Sequence, residues 1–177
     1  MRFVAGDRIF FMLVLATVLV GLAIFSSATL GLLARESSSV SKDILLQLGL
    51  GIGLGFLALV TARAIPLAQI RRFAPYLYGA SILFTMLVFV PGIGLHANGA
   101  TRWINIGFTT IQPAEFLKIG FVLMLAWWLA PRARELTNYR KGLLPFIALI
   151  MVPAAVLLAQ PNTSTTMLLV VTGAVMY

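Results

Sequence analysis

Cysteine is absent from all 177 residues, which removes disulfides, thiolate metal sites and cysteine nucleophiles and leaves the redox compartment unread. Histidine occurs once, at His96, so a histidine metal cluster is excluded. Charge is scarce as well: 10% of the residues are charged, against roughly 25% in a soluble domain. Polar sequence never runs far, since the longest such stretch, Arg35 to Asp43, covers nine residues between long uncharged runs. Neither an internal repeat nor a sizeable soluble domain is visible.

What the chain has in quantity is hydrocarbon, with 60% of its residues hydrophobic, more apolar surface than a water-soluble fold can bury. At about 1.5 Å rise per residue, about 20 apolar residues cross a hydrocarbon core of roughly 30 Å. Five runs near that length are present: Ile9 to Leu33, Ile44 to Ala62, Tyr76 to Pro91, Pro113 to Ala130 and Leu143 to Ala159. A sixth starts near Thr165 and reaches Tyr177, short of a crossing. The first run follows Arg2 and Arg8 as a signal peptide would, but continues to Phe25 without a small-residue cleavage site, so it reads as a retained helix. The expected architecture is an all-α integral membrane protein, residues 1–177 forming one transmembrane domain: a polytopic bundle of five full spans and a truncated sixth.

The net charge of +8 would suggest nucleic acid in a soluble protein. Here the cations sit in short patches between apolar runs, which is how topology signals are laid out, and nucleic acid is not an expected partner. Arg2, Arg8, Arg63, Arg71, Arg72, Arg132, Arg134, Arg140 and Lys141 fall on one side; Arg35, Lys42 and Arg102 fall on the other, with Glu36 and Asp43 beside the first two. Loops rich in Lys and Arg stay in the cytoplasm, which places the N-terminus inside and the loops around Ser38, Trp103 and Asn162 outside. Trp127 and Trp128 close the fourth run where indoles anchor in the headgroup layer. The alternating glycines Gly49, Gly51, Gly53 and Gly55 lack a preceding strand, so they point to close helix packing or local flexibility rather than phosphate binding.

Chemistry is concentrated in two places. The outward loop from Gly92 to Ile111 mixes turn formers with Trp103, Ile104, Ile106 and Phe108 and carries one formal charge, Arg102; it is expected to fold back on the membrane surface or the mouth of the bundle. A guanidinium beside an indole there suits either a lipid phosphate or pyrophosphate, held bidentately, or a plain interfacial anchor. Then Gln112-Pro113-Ala114-Glu115-Phe116-Leu117-Lys118 opens the fourth helix with proline in its first turn and two opposite charges three residues apart, on one helical face. Charges in a membrane are costly, so the pair is expected inside the bundle near its outer end, as a packing ion pair or as part of a polar site. The uncharged turn Gln160-Pro161-Asn162-Thr163-Ser164 places Asn162 as an N-cap of the sixth helix; the glycosylation sequon it also spells has little room in so short a turn.

The runs Asn98-Gly99-Ala100-Thr101-Arg102-Trp103-Ile104-Asn105-Ile106-Gly107-Phe108 and Gln112-Pro113-Ala114-Glu115-Phe116-Leu117-Lys118 resemble the SEDS family of bacteria (FtsW, RodA and SpoVE), polytopic glycosyltransferases that polymerise lipid II. Ala114 stands where the family has serine, and Asn162 where its Gln-Pro-Asp turn has aspartate. Pro91-Gly92-Ile93-Gly94 leading to Asn98-Gly99 looks more like FtsW than RodA. Family members have about ten membrane helices, so at about 20 residues per crossing this chain corresponds to the N-terminal half. The resemblance implies a multi-pass protein of the bacterial cytoplasmic membrane. It implies lipid II as substrate, and as partners a class B penicillin-binding transpeptidase and membrane proteins of the division or elongation complex. It places the family's catalytic aspartate in the second half, leaving no catalytic residue in this one, and the chain alone is expected to be inactive. Arg102, Trp103, Gln112, Glu115, Lys118 and Asn162 are the expected substrate-binding or supporting residues, with Arg102 and Lys118 serving the pyrophosphate and Glu115 orienting Lys118. A divalent cation such as Mg or Mn is compatible with that chemistry, although no carboxylate cluster is visible to hold one. A transporter or lipid II flippase, or a structural assembly subunit, are the competing readings.

Overall fold

A computed structural model describes residues 5–33, 39–97, 99–107 and 110–177, in two compact units, Met1–Ala62 and Arg63–Tyr177. The loop around Ser38, with Arg35 and Glu36, lies outside the described residues, as do Asn98 and Phe108. The first unit is helical, built on α1 (Ala5–Leu33) and α2 (Ser39–Ala64, which runs two residues past its boundary). The apolar side chains of α1 from Ile9 to Leu19 are exposed, and the hydroxyls of Thr17 and Ser26 bond back to the carbonyls of Leu13 and Leu22, which satisfies them without water. A Cβ at Gly49, Gly51, Gly53 or Gly55 would meet nothing within 4 Å.

The second unit alternates direction through α3 (Leu67–Met86), α4 (Pro113–Leu129), α5 (Leu144–Ala159) and α6 (Thr163–Met176). Its core is one apolar cluster strung along α4: Ala114, Leu117, Phe121, Leu125 and Trp128 fall on one helical stripe and pack against Tyr78 of α3, Phe146, Ile150 and Leu157 of α5, and Leu169 of α6. Spacings of three and four residues keep that stripe on one face. Small residues let the helices close: a Cβ at Gly120 would stand 2.6 Å from Ser81 Oγ, and one at Gly173 would stand 2.6 Å from Ile150 Cδ1. The buried Tyr78 hydroxyl donates to the Leu149 carbonyl at 2.6 Å, tying α3 to α5.

Among the described residues, four stretches are long and apolar enough to cross a membrane, Arg8–Ser27, Leu67–Phe89, Pro113–Arg132 and Tyr139–Ala159, which makes the chain part of a polytopic membrane protein. Helix α2 has 26 residues, and its apolar stretch among the described residues is Gly51–Ala64. Helix α6 has 14 residues, about 21 Å at 1.5 Å per residue.

Three expectations are corrected here. The third span begins at Leu67 behind Pro66, so Arg71 and Arg72 belong to the first turns of α3 rather than to a loop; Pro66 is the start signal and Pro75 is carried inside the helix. Trp128 packs into the core rather than facing outward as a free anchor would, because the stripe from Ala114 carries it inward, while Trp127 stays half-buried. And the bundle is not wholly helical. The loop between α3 and α4 folds into an antiparallel three-stranded sheet, β1 (Gly94–Ala97), β2 (Ala100–Asn105) and β3 (Thr110–Ile111), in that order.

Candidate functional site

The sheet, the start of α4 and the turn between α5 and α6 all lie at one end of the second unit, opposite the basic segment from Arg132 to Lys141. The chain doubles back between Ala97 and Ala100, with Gly99 at φ +76°, a left-handed conformation that glycine adopts without penalty. Gly94 lies so close to the short helical turn Leu87–Phe89 that a Cβ there would collide with the Val88 carbonyl. The sheet is thus seated on the end of α3. His96 Nδ1 and Thr101 Oγ1 are 3.0 Å apart across the strand pair, while Trp103, opposite Leu95, is 38% exposed.

Arg102 of β2 reaches across to the α5–α6 turn, where its Nη2 donates to the Pro161 carbonyl. On one side of that carbonyl Gln160, 2% exposed, donates from Nε2 to the Thr85 carbonyl of α3 at 2.7 Å. On the other side Asn162, 1% exposed, precedes α6. Its backbone carbonyl accepts from Thr166 N at 3.1 Å and Thr166 Oγ1 at 2.9 Å. Its side chain does not cap the helix, so the expected N-cap is correct in position and absent as a side-chain bond. Among the described residues, two buried donors at this junction, Arg102 Nε and Asn162 Nδ2, have no partner. Buried donors normally find an acceptor, so this junction is polar and incompletely paired among the described residues.

Glu115 and Lys118 do pair, at 2.6 Å. Within the second unit they face away from the core: the side chains are 55% and 31% exposed, because the buried stripe of α4 runs through Ala114 and Leu117. Glu115 sits in the first turn of α4, where a carboxylate complements the helix dipole. Gln112 precedes that helix, half-buried, with its carbonyl accepting from Glu115 N at 3.1 Å and no side-chain cap. Beside the pair, an apolar groove of about 320 Å³ between α3 and α4 is lined by residues including Phe84, Ser81, Phe116 and Ile119.

The structure thus brings Arg102 and Asn162 together through Pro161, and Glu115 and Lys118 together directly. No hydrogen bond or ion pair joins these two groups among the described residues. Gln160 and Thr85 were not among the expected site residues; the signal was an amide ahead of a proline in an uncharged turn, which has to find a partner once buried. Among the described residues no three His, Asp or Glu side chains come together, so these residues do not by themselves form a divalent-cation site.

The model of a family described as "Cell cycle protein" (FtsW, RodA, SpoVE) matches residues 7–177. A probable peptidoglycan glycosyltransferase FtsW of Aromatoleum aromaticum is 29% identical over 146 residues, covering 81% of this chain and 36% of that protein. Among solved structures, a chain from work on structural coordination of polymerization and crosslinking by a peptidoglycan synthase complex superposes with TM-score 0.65 at 30% identity, covering 86% of this chain and 43% of that one. The rod shape determining protein RodA of Thermus thermophilus superposes with TM-score 0.61 at 29% identity, covering 84% and 49%. This chain therefore spans less than half the length of the proteins it matches.

Proposed function

Because this chain belongs to the FtsW, RodA and SpoVE family of cell cycle proteins, we propose that it is the N-terminal part of a peptidoglycan glycosyltransferase that polymerises lipid II. In this reading it sits in the bacterial cytoplasmic membrane and acts with a class B penicillin-binding transpeptidase and other division or elongation membrane proteins. The observation that carries the reading is the Arg102 junction. A guanidinium held against the Pro161 carbonyl, with the Nε of Arg102 and the amide of Asn162 still unpartnered, puts donors at the end of the bundle where the substrate's pyrophosphate and sugars would lie.

Glycan transfer displaces an undecaprenyl pyrophosphate from a sugar carbon by a hydroxyl of the other chain. The step needs a base for the hydroxyl and cations for the departing pyrophosphate. In this proposal Arg102 and Lys118 supply positive charge, Glu115 holds Lys118 in place, Trp103 and Gln112 line the approach, and the base comes from the part of the protein beyond these residues. The apolar groove beside Glu115 offers room for a polyprenyl chain in the plane of the membrane. The transporter reading gains nothing from the relative named for glycosyltransfer.

The test is glycan-chain formation from labelled lipid II by the complete protein reconstituted in membranes, wild type against Arg102→Gln and Lys118→Ala at equal expression. Loss of transition-state hydrogen bonds from one positioned cation costs about 100- to 1,000-fold. Wild-type rates in both variants would remove these residues from the mechanism.

A further inference from the structure

At the basic end of the second unit, a second groove of about 250 Å³ lies between the start of α3 and the end of α4. It is lined by Leu67, Ile70, Ala74, Leu123, Ala126 and Ala130, with Arg71 and Trp127 among its walls. Its lining combines three features seldom found together: an apolar trough running along two membrane helices, one guanidinium, and an indole at the level where the helix ends. Arg71 has neither an acidic nor an aromatic partner among the described residues. Its neighbours are engaged: Arg72 lies 5.9 Å from the Phe73 ring, while Arg132 stacks 5.0 Å from the Trp128 ring and donates to the Trp128 carbonyl at 3.1 Å. The segment that follows α4 adds Arg134, Arg140 and Lys141 against one acid, Glu135. No carboxylate lines the groove.

We propose that this groove is a binding site for an anionic phospholipid, with an acyl chain in the trough between α3 and α4 and the phosphate on Arg71. The charge of the site selects the occupant. A neutral helix from another protein would fill the trough and leave the guanidinium unpaired at the membrane edge, whereas a phospholipid satisfies both, since guanidinium and phosphate match as a bidentate pair. Basic pockets between membrane helices on the cytoplasmic side hold acidic headgroups for the same reason. Trp127 adds an amphipathic wall at the height of the glycerol backbone. The small side chains Ala74, Ala126 and Ala130 give the trough its depth.

The experiment is native mass spectrometry of the purified complete protein titrated with phosphatidylglycerol and, separately, with phosphatidylcholine of the same chain length. Wild type is expected to retain phosphatidylglycerol preferentially. Arg71→Gln should lower that retention roughly five- to tenfold, to the phosphatidylcholine level, as loss of one phosphate-paired cation implies. Ala126→Phe, which fills the trough from an exposed position, should reduce retention of both lipids, and Arg134→Gln outside the groove should leave both unchanged. Unchanged retention in Arg71→Gln and Ala126→Phe would overturn the assignment. So would an Arg134→Gln effect as large as that of Arg71→Gln, which would mark diffuse attraction, or photocrosslinking from position 126 that captures a protein helix instead of lipid. None of these readouts depends on lipid II polymerisation.

Discussion

Replacing Gln160 by methionine isolates one hydrogen bond that joins the α5–α6 turn to α3. The side chain is 2% exposed and its Nε2 donates to the Thr85 carbonyl at 2.7 Å; methionine fills nearly the same volume and donates nothing. Losing a buried bond while stranding its acceptor costs about 1–3 kcal/mol. Since each 1.4 kcal/mol is about tenfold, opening of the α5–α6 turn should become about 5- to 150-fold more frequent. The chain has no cysteine, so Leu169→Cys, at a position 1% exposed in α6, provides a single thiol whose alkylation rate in membranes reports that opening. Adding Gln160→Met should raise the rate by the stated factor. Thr85→Val is the control, because the hydroxyl it removes only bonds back to the Ser81 carbonyl in its own helix at 2.7 Å, a local bond that adds little to helix stability. A rate for Gln160→Met no different from Thr85→Val would refute the view that the amide bond holds the turn.

Gly120→Val should separate α3 from α4, because the added carbons meet Ser81 Oγ at 2.6 Å and the Leu77 carbonyl at 3.2 Å; overpacking of this kind costs about 1–3 kcal/mol, read as a lower midpoint in thermal unfolding followed by tryptophan fluorescence. Glu115→Gln should shift that midpoint hardly at all, since exposed ion pairs contribute about 0–1 kcal/mol, yet lower lipid II polymerisation in the complete protein; a large stability loss with intact activity would reverse the roles assigned to the pair. Trp103→Cys should react with a membrane-impermeant maleimide in intact spheroplasts and Arg134→Cys only after permeabilisation, and the opposite pattern would invert the topology read from the charges.

Helix positions were legible because crossing a membrane demands long apolar runs, and Pro113 and Asn162 marked two helix starts to the residue. The start of α3 was not, because Arg71 and Arg72 read as loop cations although arginine is a good helix former and Pro66 had already set the first turn. The small sheet was announced by Asn98-Gly99, the strongest short hairpin signal, but its residues were weighed as turn formers in a surface loop. The facing of Glu115 and Lys118 was open to sequence in one respect only: their spacing fixed that they share a face. Which face depended on Ala114, Leu117 and Phe121 forming a longer apolar stripe. Gln160 and Thr85 lie 75 positions apart, a pairing that no local pattern specifies.

That separation orders events during synthesis. Arg102 waits for a carbonyl 59 positions ahead, Tyr78 for one 71 positions ahead, and the Thr85 carbonyl for an amide that emerges after α5. At about 5–20 residues per second on the ribosome, those waits amount to several seconds each. Through that interval α3, the sheet and α4 have one another but not yet their partners in α5 and the α5–α6 turn. Emergence of the short Gln160-Pro161-Asn162 segment closes two of the three links, so the biogenesis of this end of the protein has a late locking step confined to three residues.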